Sequence, residues 1–396
     1  MSNDHIISWH PDAVLFDRDG KSTSAIGQPM ADCDPTNPLT ALPAYIAAIT
    51  TGDMPIMGRF QGKRPKCIGD FLTQTGGSTG APKTIWRSSE SWILSFHQMA
   101  QNFGIHTTSE VAVLGHLNHS LALYAGLEAL HLGANFHALG GLKPYEYAKT
   151  LHQRRITHLY ATPTQLRLMP TTVIPNIQTV LVGGGMLDAT TKDHITSIFL
   201  NAEIIEFYGA AETSFITLSN PQTPVGSVGR SFPDVTIDIR KADNTHCDVN
   251  EIGQVWVKSP LAYKGYLPGT KHNQEYIHVG EMGHMDKDGY LFLSGRSDRA
   301  VTIADQTVYL DQLEAMIAQS HTLQNIAIIA AKNTLRGYTL HAITQSKEIT
   351  LTDLTANLSR YVQPRTLTYV PDWPLLPSGK TDYKILERHI KGNVDD

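Results

Sequence analysis

The chain has 396 residues, a formal net charge of −5 at neutral pH and 41% apolar residues, enough for two domains around a sizeable core. No basic block is present, which argues against nucleic acid as a partner. Cys33, Cys67 and Cys247 lie far apart with no C-x-x-C pair, so neither a disulfide framework nor a zinc site is suggested.

The opening Met-Ser-Asn-Asp-His lacks the basic region and apolar run of a signal peptide, and no apolar stretch approaches ~18 residues. A cytoplasmic protein without membrane insertion is expected. Residues 38–57 read as an Ala/Ile/Leu-rich helix, a Thr-Thr-Gly-Asp turn and a short strand. Residues 73–83, Thr-Gln-Thr-Gly-Gly-Ser-Thr-Gly-Ala-Pro-Lys, then lie between a short apolar segment and a plausible helix. Three glycines and several hydroxyls expose backbone and side-chain donors there, as a phosphate cradle requires, and Lys83 adds a positive charge. Pro82 before the lysine excludes the G-x-x-x-x-G-K nucleotide loop. Read alone, the stretch is better taken as a Gly/Ser surface loop.

Between residues 110 and 240 short apolar runs alternate with helical stretches. Val111–Leu114, Ile156–Tyr160, Thr179–Val182 and Glu203–Phe207 read as strands, and Leu121–Leu132, Pro144–Arg154 and Thr190–Phe199 as helices. Such alternation argues for a largely parallel, helix-covered sheet. His116 and His119 could share a metal, but no third ligand follows at a suitable spacing, and the segment reads as a strand end or loop. From about 225 to 293 Gly-punctuated strands suggest an antiparallel or barrel-like subdomain, and the last ~100 residues a separate α+β unit.

Several motifs now fall in one order. Thr75-Gly76-Gly77-Ser78-Thr79-Gly80-Ala-Pro-Lys83 is followed by Gly183-Gly184-Gly185 after a strand, then Phe207-Tyr208-Gly209-Ala210-Ala211-Glu212. Gly280-Glu281-Met282-Gly283, Asp286-Lys-Asp288-Gly-Tyr290, Gly295-Arg296-Ser-Asp298 and Pro377-Ser378-Gly379-Lys380 come next. This order resembles the adenylate-forming enzymes: acyl-CoA synthetases, luciferases and the adenylation domains of peptide synthetases. The resemblance implies an α/β fold with a large N-terminal domain of helix-covered sheets and a small barrel-like β subdomain, residues 1–297. A small mobile α+β domain, residues 298–396, follows, with Asp298 as the hinge.

It also implies roles. The 75–83 loop would hold ATP phosphates, Gly184 and Gly185 the adenine, and Tyr208 and Gly209 the base. Glu212 would hold Mg²⁺, suited to oxygen ligands shared with substrate phosphates. As bare residues, Tyr208 to Glu212 also fit a solvated strand-to-helix turn. Glu281 stands where relatives use an aspartate for the ribose hydroxyls, and its acceptor sits one methylene further out. Arg296 matches an arginine contacting ribose and phosphate. His119 borders the acyl pocket or is a satisfied core histidine, and Phe207 lines the same pocket. Lys380 would bring a point charge to the α-phosphate and carboxylate; read alone, it is a surface lysine.

The implied reaction is activation of a small carboxylic acid by ATP, then thioester formation with CoA. The alternatives are transfer to the phosphopantetheine of an acyl carrier protein, and a non-catalytic nucleotide-binding scaffold. A homodimer is allowed. Besides Glu281, the chain departs from the pattern in four respects. Its N-terminal side is short, and Ala211 stands where threonine is commoner. Thr302 replaces a lysine, and Asp305 occupies a glycine position beside the path of the pantetheine arm.

Overall fold

The computed structural model describes residues 5–75, 83–185, 187–269, 271–303, 306–323, 325–333, 337–376 and 381–391. They fall into two compact units. The first takes residues up to 75, 83–237 and 257–277, and the second takes 238–256 and the chain from 278 onward.

In the first unit, the expected early helix spans Pro38–Thr51. Proline at its start needs no N–H partner, and Gly52 closes it in a left-handed conformation, φ 80°. The strand Ile56–Met57 follows and joins a small sheet whose order is Gly265–Leu267, Thr84–Ser88, Asp70–Gln74, Ile56–Met57, Asp32–Cys33.

The main sheet is built from the predicted alternation. Glu110–Val113, His158–Ala161, Thr179–Val182 and Glu203–Ala210 pair in parallel, and Asn135–Ala138 and Leu15–Asp17 extend the sheet on the far side. The helices Ser120–Leu132, Pro144–Gln153 and Ala189–Ile198 lie between these strands in the chain. His158–Ala161 and Thr179–Val182 are buried along their whole length, as a parallel sheet covered on both faces demands. A core cluster that includes Leu151, Leu159, Val180, Ile195 and Phe199 joins the sheet to its helices.

Glu203–Ala210 is longer than its sequence suggests. Beyond the parallel section it turns back through a hairpin into Ser214–Leu218, with Tyr208 opposite Thr217. The segment around Glu212 is therefore a strand-to-strand turn, where a strand-to-helix turn was one reading.

Ile277–Met285 and Tyr290–Arg296, lying mostly in the second unit, form an antiparallel pair, flanked in order by Gly253–Lys258 and Thr236–Arg240. The hairpin Ala300–Ile303 with Gln306–Tyr309 leads into the helix Leu310–His321. A three-stranded sheet, Ile326–Asn333, Gly337–Thr344 and Thr366–Tyr369, and the helix Tyr383–Lys391 complete the α+β part. No helix among the described residues is long and apolar enough to cross a membrane.

Candidate active site

Ligands of open parallel sheets bind beyond the carboxyl ends of the strands. Here those ends carry Leu114 to His119, Thr162, Gly183 to Gly185, and Phe207 onward. The anticipated residues His119, Gly184, Gly185 and Phe207 thus share one edge of the sheet, and Tyr208 and Gly209 follow directly.

The three glycines at that edge answer different demands. A Cβ on Gly183 would fall 2.2 Å from the Phe207 ring, so this glycine exists to admit a side chain of the same protein. Gly184 has φ +85°, a backbone that side chains disfavour. A Cβ on Gly185 would meet Pro163 at 3.8 Å, an ordinary packing contact, so no neighbour in the protein demands a glycine there. Gly209 likewise has a packing reason of its own, because a Cβ there would lie 2.3 Å from the Ser214 carbonyl oxygen across the hairpin.

Glu212 is held from several sides. Its backbone carbonyl accepts the Tyr263 N–H at 2.7 Å, and its Oε1 accepts the Tyr266 hydroxyl at 2.6 Å. Burial together with the Glu212 charge pushes the Tyr266 phenol upward, so it remains a donor. Among the described residues no hydrogen bond reaches Oε2. Behind the turn, Arg87 is 1% exposed. Its guanidinium donates to the Leu261 carbonyl at 2.9 Å and to the Ala211 carbonyl. Burial pulls Arg87 down to about 10 against the opposing attraction of Glu212, so it keeps its charge at neutral pH.

Residues 76–80 lie outside the described residues, but the base of their loop is defined. The Thr75 N–H donates to the Lys83 carbonyl and the Lys83 N–H to the Thr75 hydroxyl, each at 3.0 Å. Lys83 Nζ stands 5.1 Å from the centroid of the Tyr266 ring, the ring whose hydroxyl reaches Glu212. A cation over an aromatic face is held by the ring quadrupole. Lys83, Tyr266 and Glu212 therefore form one connected group.

His119 is half-buried and occupies the position before the helix Ser120–Leu132, in the expected loop. Burial, reinforced by His116, lowers its pKa, so the imidazole is neutral at pH 7. No group of three metal-binding side chains occurs among the described residues, His116 and His119 included.

In the second unit Glu281 and Arg296 face each other across the antiparallel pair. The Arg296 guanidinium donates to both Asp298 oxygens, at 2.9 and 3.3 Å, which raises its pKa. Its backbone N–H donates to Asp311 at 2.8 Å. Asp298 lies in the short turn Ser297–Arg299. The next residue, Arg299, pairs with Asp311 and Glu314 and sits 3.8 Å from the centroid of the Tyr383 ring. Lys380 and Asp305 lie outside the described residues.

Sequence reading overlooked Arg87, Tyr266 and Arg299. Arg87 did carry a signal, as a charged residue inside the apolar strand Thr-Ile-Trp-Arg-Ser. Tyr266 carried none, because its partner is 54 positions away.

A braced carboxylate connected to Lys83, beyond the carboxyl edge of a parallel sheet, suits the handling of a nucleotide by an α/β enzyme. Residues 71–267 match the AMP-binding enzyme family. The chain is 29% identical over 333 residues to the uncharacterized acyl-CoA ligase YhfT of Bacillus subtilis, covering 82% of this chain and 69% of that one. It is 30% identical over 336 residues to the putative long chain fatty acid-CoA ligase VraA of Staphylococcus aureus strain MRSA252, covering 81% and 71%. Its fold is similar to O-succinylbenzoate coenzyme A synthetase (MenE) of Bacillus subtilis solved with ATP and magnesium ion, TM-score 0.72 at 20% identity, covering 80% and 69%. It is also similar to ATP-bound MatB of Rhodopseudomonas palustris, TM-score 0.73 at 21% identity, covering 91% and 78%. The chain belongs to the AMP-binding enzymes, the adenylate-forming superfamily of acyl-CoA synthetases and related ligases.

Proposed function

We propose that the protein activates a carboxylic acid with ATP and transfers the acyl group to the thiol of CoA. The observation that carries this reading is the Glu212 carboxylate, with one oxygen held by Tyr266 and the other without a hydrogen bond among the described residues, in contact through Tyr266 with the lysine that ends the phosphate loop. Mg²⁺ suits this arrangement, since it takes few protein oxygens and shares the rest with substrate phosphates; bound there, it would neutralise phosphate charge.

In the first half-reaction a carboxylate oxygen attacks the α-phosphorus of ATP, the bond to the bridging oxygen breaks, and pyrophosphate leaves. The acid is already ionised at neutral pH and needs no base. Lys83 and Lys380 supply positive charge to the phosphates, while Arg87 and Tyr266 keep the Glu212 turn in place. In the second half a thiolate attacks the acyl carbon and AMP leaves with the bonding electron pair. Asp298 is the hinge in this proposal, with residues 298–396 moving to exchange Lys380 for the thiol path. Glu281 and Arg296 hold the ribose. The cytoplasm, where ATP and CoA are available, is the location the proposal carries.

The test is carboxylate-dependent ATP–pyrophosphate exchange across a panel of acids, followed by addition of CoA or of a holo carrier protein. Exchange followed by acyl-CoA formation supports the proposal. Exchange with acyl transfer only to the carrier protein replaces the acceptor. ATP binding without exchange for any acid favours a nucleotide-binding scaffold.

A further inference from the structure

We propose that the acid is a short-chain carboxylic acid, of acetate to butyrate size, and that Phe207 and Phe215 set its length; this rests on the acid-activating reading above. Phe207 is the half-buried residue at the carboxyl edge, and its ring is wedged against the Gly183 backbone. Directly inward the space is filled by rings. Phe215 stands edge-on to Phe207 at 4.9 Å, stacks on Phe232 at 5.1 Å and meets Tyr124 at 5.1 Å. Tyr124 in turn meets Trp92 and Phe96, each at 5.1 Å.

These rings are fastened as well as packed. Trp92 Nε1 donates to the Ser214 hydroxyl at 3.1 Å, and the Tyr124 hydroxyl donates to Ser95 at 2.9 Å. Beneath them the Tyr160 hydroxyl donates to Glu128, a carboxyl with no solvent exposure. An alkyl chain passing Phe207 would have to displace Phe215 or Tyr124. It would then lie against Glu128, and each hydrogen bond broken on the way would leave a buried polar group unpaired. Close packing leaves no slack for such a shift. A chain that stops short of this floor disturbs none of it. The long-chain acids in the names of similar ligases therefore do not transfer to this protein.

The experiment is ATP–pyrophosphate exchange by the full chain with acetate, propionate, butyrate, octanoate, palmitate and benzoate, repeated with Phe207→Ala and Phe215→Ala. One methylene in a fitted pocket changes kcat/KM by roughly 10-fold or more, so butyrate should exceed octanoate by at least ~100-fold. Phe207→Ala, at a half-buried position, should raise octanoate relative to butyrate at least ~10-fold, whether or not Phe215→Ala folds. Octanoate, palmitate or benzoate equal to or better than the short acids overturns the inference. So does a folded Phe207→Ala with unchanged preference. No exchange with any acid, despite an ATP-induced thermal shift, refutes the acid-activating reading and this inference with it.

Discussion

Glu128→Gln isolates the buried carboxyl beneath the aromatic floor. Glu128 lies in the helix Ser120–Leu132 with no exposure, and burial pushes its pKa from the ordinary 4.5 up to about 8. The folded protein therefore holds this proton where the unfolded chain releases it. Its contribution is fully present below pH 4.5, declines as the unfolded chain ionises, and is lost once the pH passes about 8. The whole shift corresponds to a loss on the order of 5 kcal/mol, at about 1.4 kcal/mol per pH unit. Glutamine keeps an oxygen for the Tyr160 hydroxyl and does not titrate, so the variant should lack this slope. The assay is urea denaturation of both proteins from pH 5 to 8.5, followed by tryptophan fluorescence; Trp92, 5.1 Å from Tyr124, reports on the region. The stability difference should shift steadily in favour of the variant as pH rises. Parallel stability curves would refute the reasoning, because they would mean that Glu128 has the same proton affinity in both states.

Gly183→Ala should destabilise by about 1–3 kcal/mol through collision with the Phe207 ring, and the double variant with Phe207→Ala should recover most of the loss in a thermal melt. Non-recovery would place the strain elsewhere. Tyr266→Phe removes one hydrogen bond, worth about 1 kcal/mol, yet should raise the Mg²⁺ concentration for half-maximal pyrophosphate exchange several-fold. An unchanged Mg²⁺ response would show that the hydroxyl does not position Glu212. Lys380→Ala should abolish exchange while largely sparing CoA transfer from a supplied acyl-adenylate, and equal loss of both halves contradicts the hinge account. Asp305→Gly should speed CoA transfer; no change, or a fall, means the thiol path runs elsewhere.

The architecture was legible because its signals are local. The strand Thr179–Val182 is a short, β-branched run, Thr-Val-Leu-Val, that stops at Gly183, and its length and composition mark a strand. The helix Pro38–Thr51 carries its own start and stop, a proline and a left-handed glycine. The hairpin after Ala210 was not legible, because strand length there depends on pairing with Ser214–Leu218 rather than on apolar period.

The site divides in the same way. Resemblance to the family's ordered motifs pointed to the loop at 75–83 and the Tyr208–Glu212 segment, whose residue types suit phosphate and metal chemistry. Which glycine answers to packing was not readable: Gly183 yields to Phe207 and Gly209 to Ser214, whereas Gly185 would meet only ordinary contact with Pro163. Nor was the bracing of Glu212, supplied by Arg87 and Tyr266 from distant parts of the chain. The sequence by itself determined the family, the alternation of elements and the candidate chemistry, because each is written in short-range pattern. Only the tertiary structure decided what lies behind Phe207 and what holds Glu212, because packing and hydrogen bonding join residues that no local pattern brings together.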